Sequence, residues 1–146
     1  MSLHTDSVFI SAISSDTALM GKIGGRLYGT AIPMPDEDAD NTPVPYIIVT
    51  FDGLTNDNMT KDDEMESIYD TVSIGIQVVA ASLSALHELT QDVRDAVRAY
   101  IATDETIVND YTFSAASIQY DSWKPCYWQT LRYQCDVTNL IEEDED

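Results

Sequence analysis

Side chains that commonly carry out chemistry are scarce in this chain. It has two histidines, two cysteines and 26 acids. Nucleophilic catalysis needs a base held beside the attacking group, and the only imidazoles are His4, near the N-terminus, and His87, between Leu86 and Glu88. His87 falls in a helical pattern and reads as a surface or boundary residue. Cys126 and Cys135 sit nine apart in one extended segment, where strand alternation sends them to opposite faces, so they do not bridge each other. Without a CxxC spacing they read as buried, reduced thiols and not as a nucleophile or a zinc site. Gly21-Lys22 does not close a phosphate loop either, since such a loop requires a glycine where Asp16 stands. Gly24-Gly25 reads as a helix stop.

The carboxylates come closest to a site. Asp36, Asp38 and Asp40 have the alternating spacing that opens a calcium loop, but Asn41 takes the place of the turn glycine and Ile47 that of the bidentate glutamate. An EF-hand is excluded, which leaves a solvated acidic loop or loose cation binding. Most of the other acids lie in loops and a tail, where solvent holds their pKa values together and gives no acid/base asymmetry. The aromatic set Tyr111, Phe113, Tyr120, Trp123, Tyr127, Trp128 and Tyr133 is interleaved by no basic residues but Lys124 and Arg132, too little positive charge for a phosphate backbone, so it suits packing or a protein interface better than base stacking. The expectation is a protein that is not an enzyme and needs no cofactor and no metal.

Composition points the same way. A chain of 146 residues fits one domain, burying roughly 70% of its unfolded surface. Seven Lys+Arg against 26 Asp+Glu give a formal charge of -19, which repels nucleic acid and anionic lipid. Direct nucleic-acid binding is therefore not expected, nor is a membrane partner. With no basic-then-apolar leader and no bilayer-length apolar run, the cytoplasm is the expected location.

These residues have to be positioned by elements legible as changes of period. Val8, Phe9, Ala12 and Ile13 share one face of an opening helix, and Asp16 caps a further turn or two. Gly29 to Pro45 holds four of the five prolines and the acidic run Asp36 to Asp40, so a loop is expected there. Tyr46 to Phe51 reads as a strand, Gly53 to Met65 as a loop, and Ile68 to Val79 as a strand with Ile68, Val72, Ile74, Ile76 and Val78 on one side. From Leu83 the period becomes helical, with Ser82 as N-cap and Leu83, Leu86, Leu89, Val93, Ala96, Val97, Tyr100 and Ile101 on the apolar stripe. Strands over Tyr111 to Tyr120 and Tyr127 to Val137 follow, separated by turn residues. Residues 142–146 are all acidic, and such a tail self-repels.

The predicted fold class is α+β: a two-layer sandwich, one mostly antiparallel sheet of about four strands with two helices on one face. The domain is expected over residues 1–140, with a disordered acidic tail at 141–146. The uncovered sheet face would present Tyr69, Thr71, Gln77, Thr130 and Arg132, polar without being highly charged, which suits packing against another subunit. An acidic DNA-mimic inhibitor of a nucleic-acid enzyme is the alternative that the charge allows, and a small hydrolase is the weakest.

Several segments, taken in order, carry a resemblance to a family. They are the opening helix, Gly25-Arg26-Leu27-Tyr28, Pro43-Val44-Pro45-Tyr46-Ile47-Ile48-Val49, Val72 to Val78, the helix with Leu89-Thr90-Gln91-Asp92-Val93-Arg94, and the strand Tyr127 to Val137. Together the chain resembles the bacteriophage tail-terminator, tail-completion and head-to-tail joining proteins. The resemblance implies a homo-oligomeric ring, typically hexameric, that caps the tail tube and meets the head-tail connector proteins. It transfers no catalytic residues. In such a ring the acidic loop of Asp36, Asp38 and Asp40 would face passing DNA or a neighbour.

Overall fold

The computed structural model describes residues 2–29, 43–56, 69–103, 108–122 and 124–138. Its elements are α1 (Thr5–Ser14), α2 (Thr17–Lys22), β1 (Leu27–Gly29), β2 (Tyr46–Thr55), β3 (Tyr69–Ala80), α3 (Leu83–Ile101), β4 (Val108–Ala115), β5 (Gln119–Asp121) and β6 (Cys126–Thr138). A 3-10 turn, Ser2–His4, precedes α1. The strands form one sheet in the order β1-β2-β3-β6-β4, with β5 also paired to β6.

Alternation builds the middle of this sheet. Val72, Ile74, Ile76 and Val78 of β3 are all fully buried, as are Leu131, Tyr133, Cys135 and Val137 of β6. The two strands pair antiparallel along their whole length, from Tyr69↔Thr138 to Ala80↔Tyr127. Period-2 apolar residues therefore line one face, and the helices cover it. Phe9, Ala12 and Ile13 of α1, Leu19 of α2, and Leu86, Leu89, Val93, Ala96 and Val97 of α3 complete a single core cluster with the strands. Each large side chain removed from water there contributes about 1.5–3 kcal/mol.

Local signals set the helix ends. Asp16 Oδ1 accepts the Leu19 N–H at 3.1 Å and Ser82 Oγ accepts the Ala85 N–H at 3.2 Å, so both N-terminal turns are capped by a side chain. After α2 the chain turns through Gly24 (φ 62°) and Gly25 (φ 76°). A Cβ is disfavoured in that left-handed region. Lys22 reaches from the end of α2 to Glu88 and Asp92 of α3, both at 2.6 Å, and pins the two helices side by side.

The sheet is larger than expected and mixed: the described residues form six strands and three α-helices, where about four mostly antiparallel strands and two helices were predicted. Two added strands and one longer strand make up the difference in the sheet. Only three residues long, β1 lies parallel to β2, and so short a run shows no period. The segment predicted as one strand, Tyr111 to Tyr120, is broken into β4 and β5, both lying along the same side of β6. Finally, β2 runs on to Thr55 where a loop from Gly53 was predicted. Phe51 pairs Ile74 and Gly53 pairs Ser73, so Asp52 is an extra residue at a bulge and the strand continues past a pair that reads as a turn. One helix position also departs: Leu83, placed on the apolar stripe by its spacing, is exposed.

Candidate interaction surface

With all helices on one side, the other side of the sheet lies open, and pairing sorts it into rows across the strands. The first row is Tyr46–Val79–Trp128–Gln119 and the second is Tyr28–Ile48–Gln77–Thr130. Next come Thr50–Gly75–Arg132–Ser114 and Gly53–Ser73–Gln134–Thr112, and last Thr55–Thr71–Asp136–Asp110. The face thus grades from aromatic and aliphatic at one end, through hydroxyls and amides, to carboxylates at the other.

At the apolar end, Val79, Ile48 and Cys126 are buried although they belong to the open side. Tyr28 and Tyr46 lie tilted against one another with ring centroids 6.2 Å apart. Burial raises the pKa of the Tyr46 phenol and of the Cys126 thiol, so both stay neutral. Cys135 is on the opposite, helix-covered side, where burial pushes its thiol up to about 12. Both cysteines are free.

The middle of the face holds an ion pair set across three strands. Arg132 Nη1 donates to Asp52 Oδ2 at 3.0 Å, and Thr50 Oγ1 donates to Asp52 Oδ1 at 2.8 Å. The Asp52 carboxylate lies over Gly75, where a Cβ would meet Oδ2 at 2.7 Å and Thr50 Oγ1 at 2.9 Å. Glycine is therefore what lets the bulge residue of β2 reach β6 over the intervening strand. A shallow hollow beside Arg132 is bounded by Ser73, Thr112, Ser114 and Gln134, and a second, further along β4 and β6, by Thr71, Asp110, Thr112 and Asp136.

Of the residues predicted for this surface, Thr71, Gln77, Thr130 and Arg132 stand together on it, with Gln77 and Thr130 directly paired. Tyr69 begins β3 opposite Thr138; its side chain lies outside the described residues, as do Asp36, Asp38 and Asp40. Asp52 and Gly75 do not figure in the sequence-based surface, and Trp128 figures only in the aromatic set, without a face. Trp128 was findable, because it shares the even-numbered parity of Thr130 and Arg132. Asp52 and Gly75 were not, since a bulge and a close approach leave no periodic trace. His87 is exposed on α3. Among the described residues, no group of three His, Cys, Asp or Glu gathers as metal ligands, and no helix is long and apolar enough to cross a membrane.

No protein-family model matches this sequence, and no curated protein does. Among solved structures, a chain from the virion of a native gene transfer agent particle has the same fold, with a TM-score of 0.59 at 14% identity. The likeness covers 92% of this chain and 94% of that one. The molecule is thus an α+β protein with one helix-covered and one open sheet face, built on a fold that also occurs in a virion.

Proposed function

We propose that this chain is a structural subunit of a phage or prophage tail: a terminator or tail-completion protein that closes into a ring on the tail tube and joins it to the head. The observation that carries the reading is the nearly end-to-end likeness in fold to a chain of a gene transfer agent virion. The open face supports it. Its central rows are hydroxyls and amides around a single ion pair, so they can be covered by another subunit without stranding many charges. In this reading the partners are copies of itself, six to a ring, with tube protein on one side and head-tail connectors on the other. The chain works in the host cytoplasm during assembly, then in the virion tail, and catalyses nothing.

The acidity has a place in the same scheme. A ring lumen lined by carboxylates such as Asp36, Asp38 and Asp40 would keep DNA phosphates from adhering in transit. Reversing those three charges is expected to slow assembly or genome ejection, and an unchanged particle yield would count against a lumen role. The main test is simpler. Purified tube protein polymerised with the chain should give tubes of limited length with a cap visible at one end by electron microscopy. Tubes that lengthen freely in the presence of folded chain would refute the reading. A monomer that instead binds a basic nucleic-acid enzyme tightly and salt-sensitively would replace it with the DNA-mimic alternative.

A further inference from the structure

The outer edge of the sheet, formed by β4 and β5, has properties that tube capping does not require. Ala116 N–H donates to Thr130 O at 2.9 Å, which fixes the phase of the ladder. Thr112 and Ser114, two and four residues back, likewise turn their N–H groups toward β6, while those of Tyr111, Phe113 and Ala115 point outward. The Tyr111 N–H is taken by its neighbour, Asp110 Oδ1, at 2.8 Å. Among the described residues no strand lies beside Phe113 and Ala115 on that side.

Free edges are normally guarded by lysine, proline or inward-pointing charge. From Tyr111 to Tyr120 this edge has none of these, in a chain whose net charge is -19. Ile118 and Tyr120 on the same edge are 37% and 54% exposed. The break between β4 and β5 is its only interruption. At its start Asp110 and Asp136 stand directly opposite each other, both exposed, and among the described residues neither has a basic partner. Like charges in that position repel, so a cation brought to them would be favoured.

Among its described residues, a second copy of the chain is poorly equipped to bring one. Of its seven basic residues, Lys22 holds Glu88 and Asp92, Arg98 holds Asp95, and Arg132 holds Asp52. Arg26 donates to Pro45 O, Arg94 lies 4.3 Å over the Phe113 ring, and Lys124 is engaged as well. Lys61 is outside the described residues.

We propose that the β4–β5 edge is a docking site for an extended segment of a different polypeptide, added as a further strand, uncharged along Tyr111 to Tyr120 and carrying a lysine or arginine where it passes Asp110 and Asp136. Main-chain hydrogen bonds would give the affinity and the carboxylate pair the register. The inference stands on the edge itself and is independent of whether the chain caps a tube.

The probe is the end-capped peptide Lys-Thr-Val-Thr-Val-Thr-Lys, which presents a lysine at Asp110 in either strand direction, with a Glu-ended peptide as control. Binding is read by fluorescence anisotropy, and site by amide hydrogen exchange. The Lys-ended peptide is expected to bind about tenfold or more tighter than the control, and to slow exchange at Phe113 and Ala115 while leaving the helices unchanged. Ala115→Pro removes an outward N–H at a position where an edge strand tolerates proline, and should abolish binding. Asp110→Asn with Asp136→Asn should erase the preference for lysine. The proposal is overturned by an absence of binding, by binding without protection of Phe113 and Ala115, by equal affinity for the two peptides, or by chains that pair with each other through this edge. The exchange readout decides the matter on the unsubstituted protein even if the proline variant does not fold.

Discussion

Tyr133 occupies the middle of the core, with its ring centroid 5.0 Å from Phe9, 5.4 Å from Tyr111 and 5.1 Å from Phe113. Its ring packs well while its hydroxyl is buried without a hydrogen-bond partner. Desolvation accordingly holds the phenol far above its ordinary pKa. An orphaned buried hydroxyl costs about 1–3 kcal/mol, so Tyr133→Phe should leave stability unchanged or raise it by that order, whereas Tyr133→Ala should lower it by about 3–5 kcal/mol. Urea unfolding checks both, and a Phe variant clearly weaker than the parent would mean that the hydroxyl has a partner. Gly75 poses a different question, because a Cβ there meets only the ends of the Asp52 and Thr50 side chains, which can swing away. Gly75→Ala should therefore cost little in stability yet part Asp52 from Arg132. In a double-mutant cycle with Asp52→Asn and Arg132→Gln, a coupling of about 0.2–1 kcal/mol is expected for so exposed a pair. It should vanish when the cycle is repeated on the Gly75→Ala variant; coupling that persists would show the glycine to be incidental.

Among the elements, α3 carries the clearest agreement between local signal and tertiary demand. Ser82 caps it, Leu86, Leu89, Val93 and Val97 face the sheet, and Glu88 and Asp92 receive Lys22. Ser82→Ala should cost about 1 kcal/mol and lower the melting temperature, with no loss of helical circular dichroism below the transition; an unshifted melt would mean that tertiary packing alone sets this end. The same reasoning explains what was legible in the sequence. α3, β3 and β6 are long enough to repeat a period several times, so their boundaries and buried faces could be read directly, and with them Thr71, Gln77, Thr130 and Arg132. β1 is defined by its neighbour, since three residues become a strand only because Leu27, Tyr28 and Gly29 lie against Ile47, Ile48 and Val49. The bulge at Asp52 was hidden for a related reason. Asp52-Gly53 has turn chemistry, and only the pull of β3 on Leu54 and Thr55 keeps the chain extended beyond it.

For the whole molecule, charge and assembly pull against each other. In the proposed ring, copies of a chain at -19 would come together as like-charged bodies, and the described basic side chains are mostly committed within their own subunit. Contacts between copies would then rest on uncharged rows of the open face such as Ser73–Gln134–Thr112 and Gln77–Thr130, with long-range repulsion as the opposing term. Salt weakens that repulsion: the screening length falls from about 30 Å near 0.01 M to about 3 Å near 1 M. Self-association followed by sedimentation velocity should therefore strengthen as sodium chloride is raised, the reverse of an interface held by ion pairs. The proposed β4–β5 contact with its lysine-bearing partner should weaken over the same range, because there the charges attract. Opposite salt responses at two surfaces of one subunit would separate ring closure from partner docking. Association that weakened with salt at both would place complementary charge at the ring contact as well, contrary to the polar, uncharged interface argued for the open face.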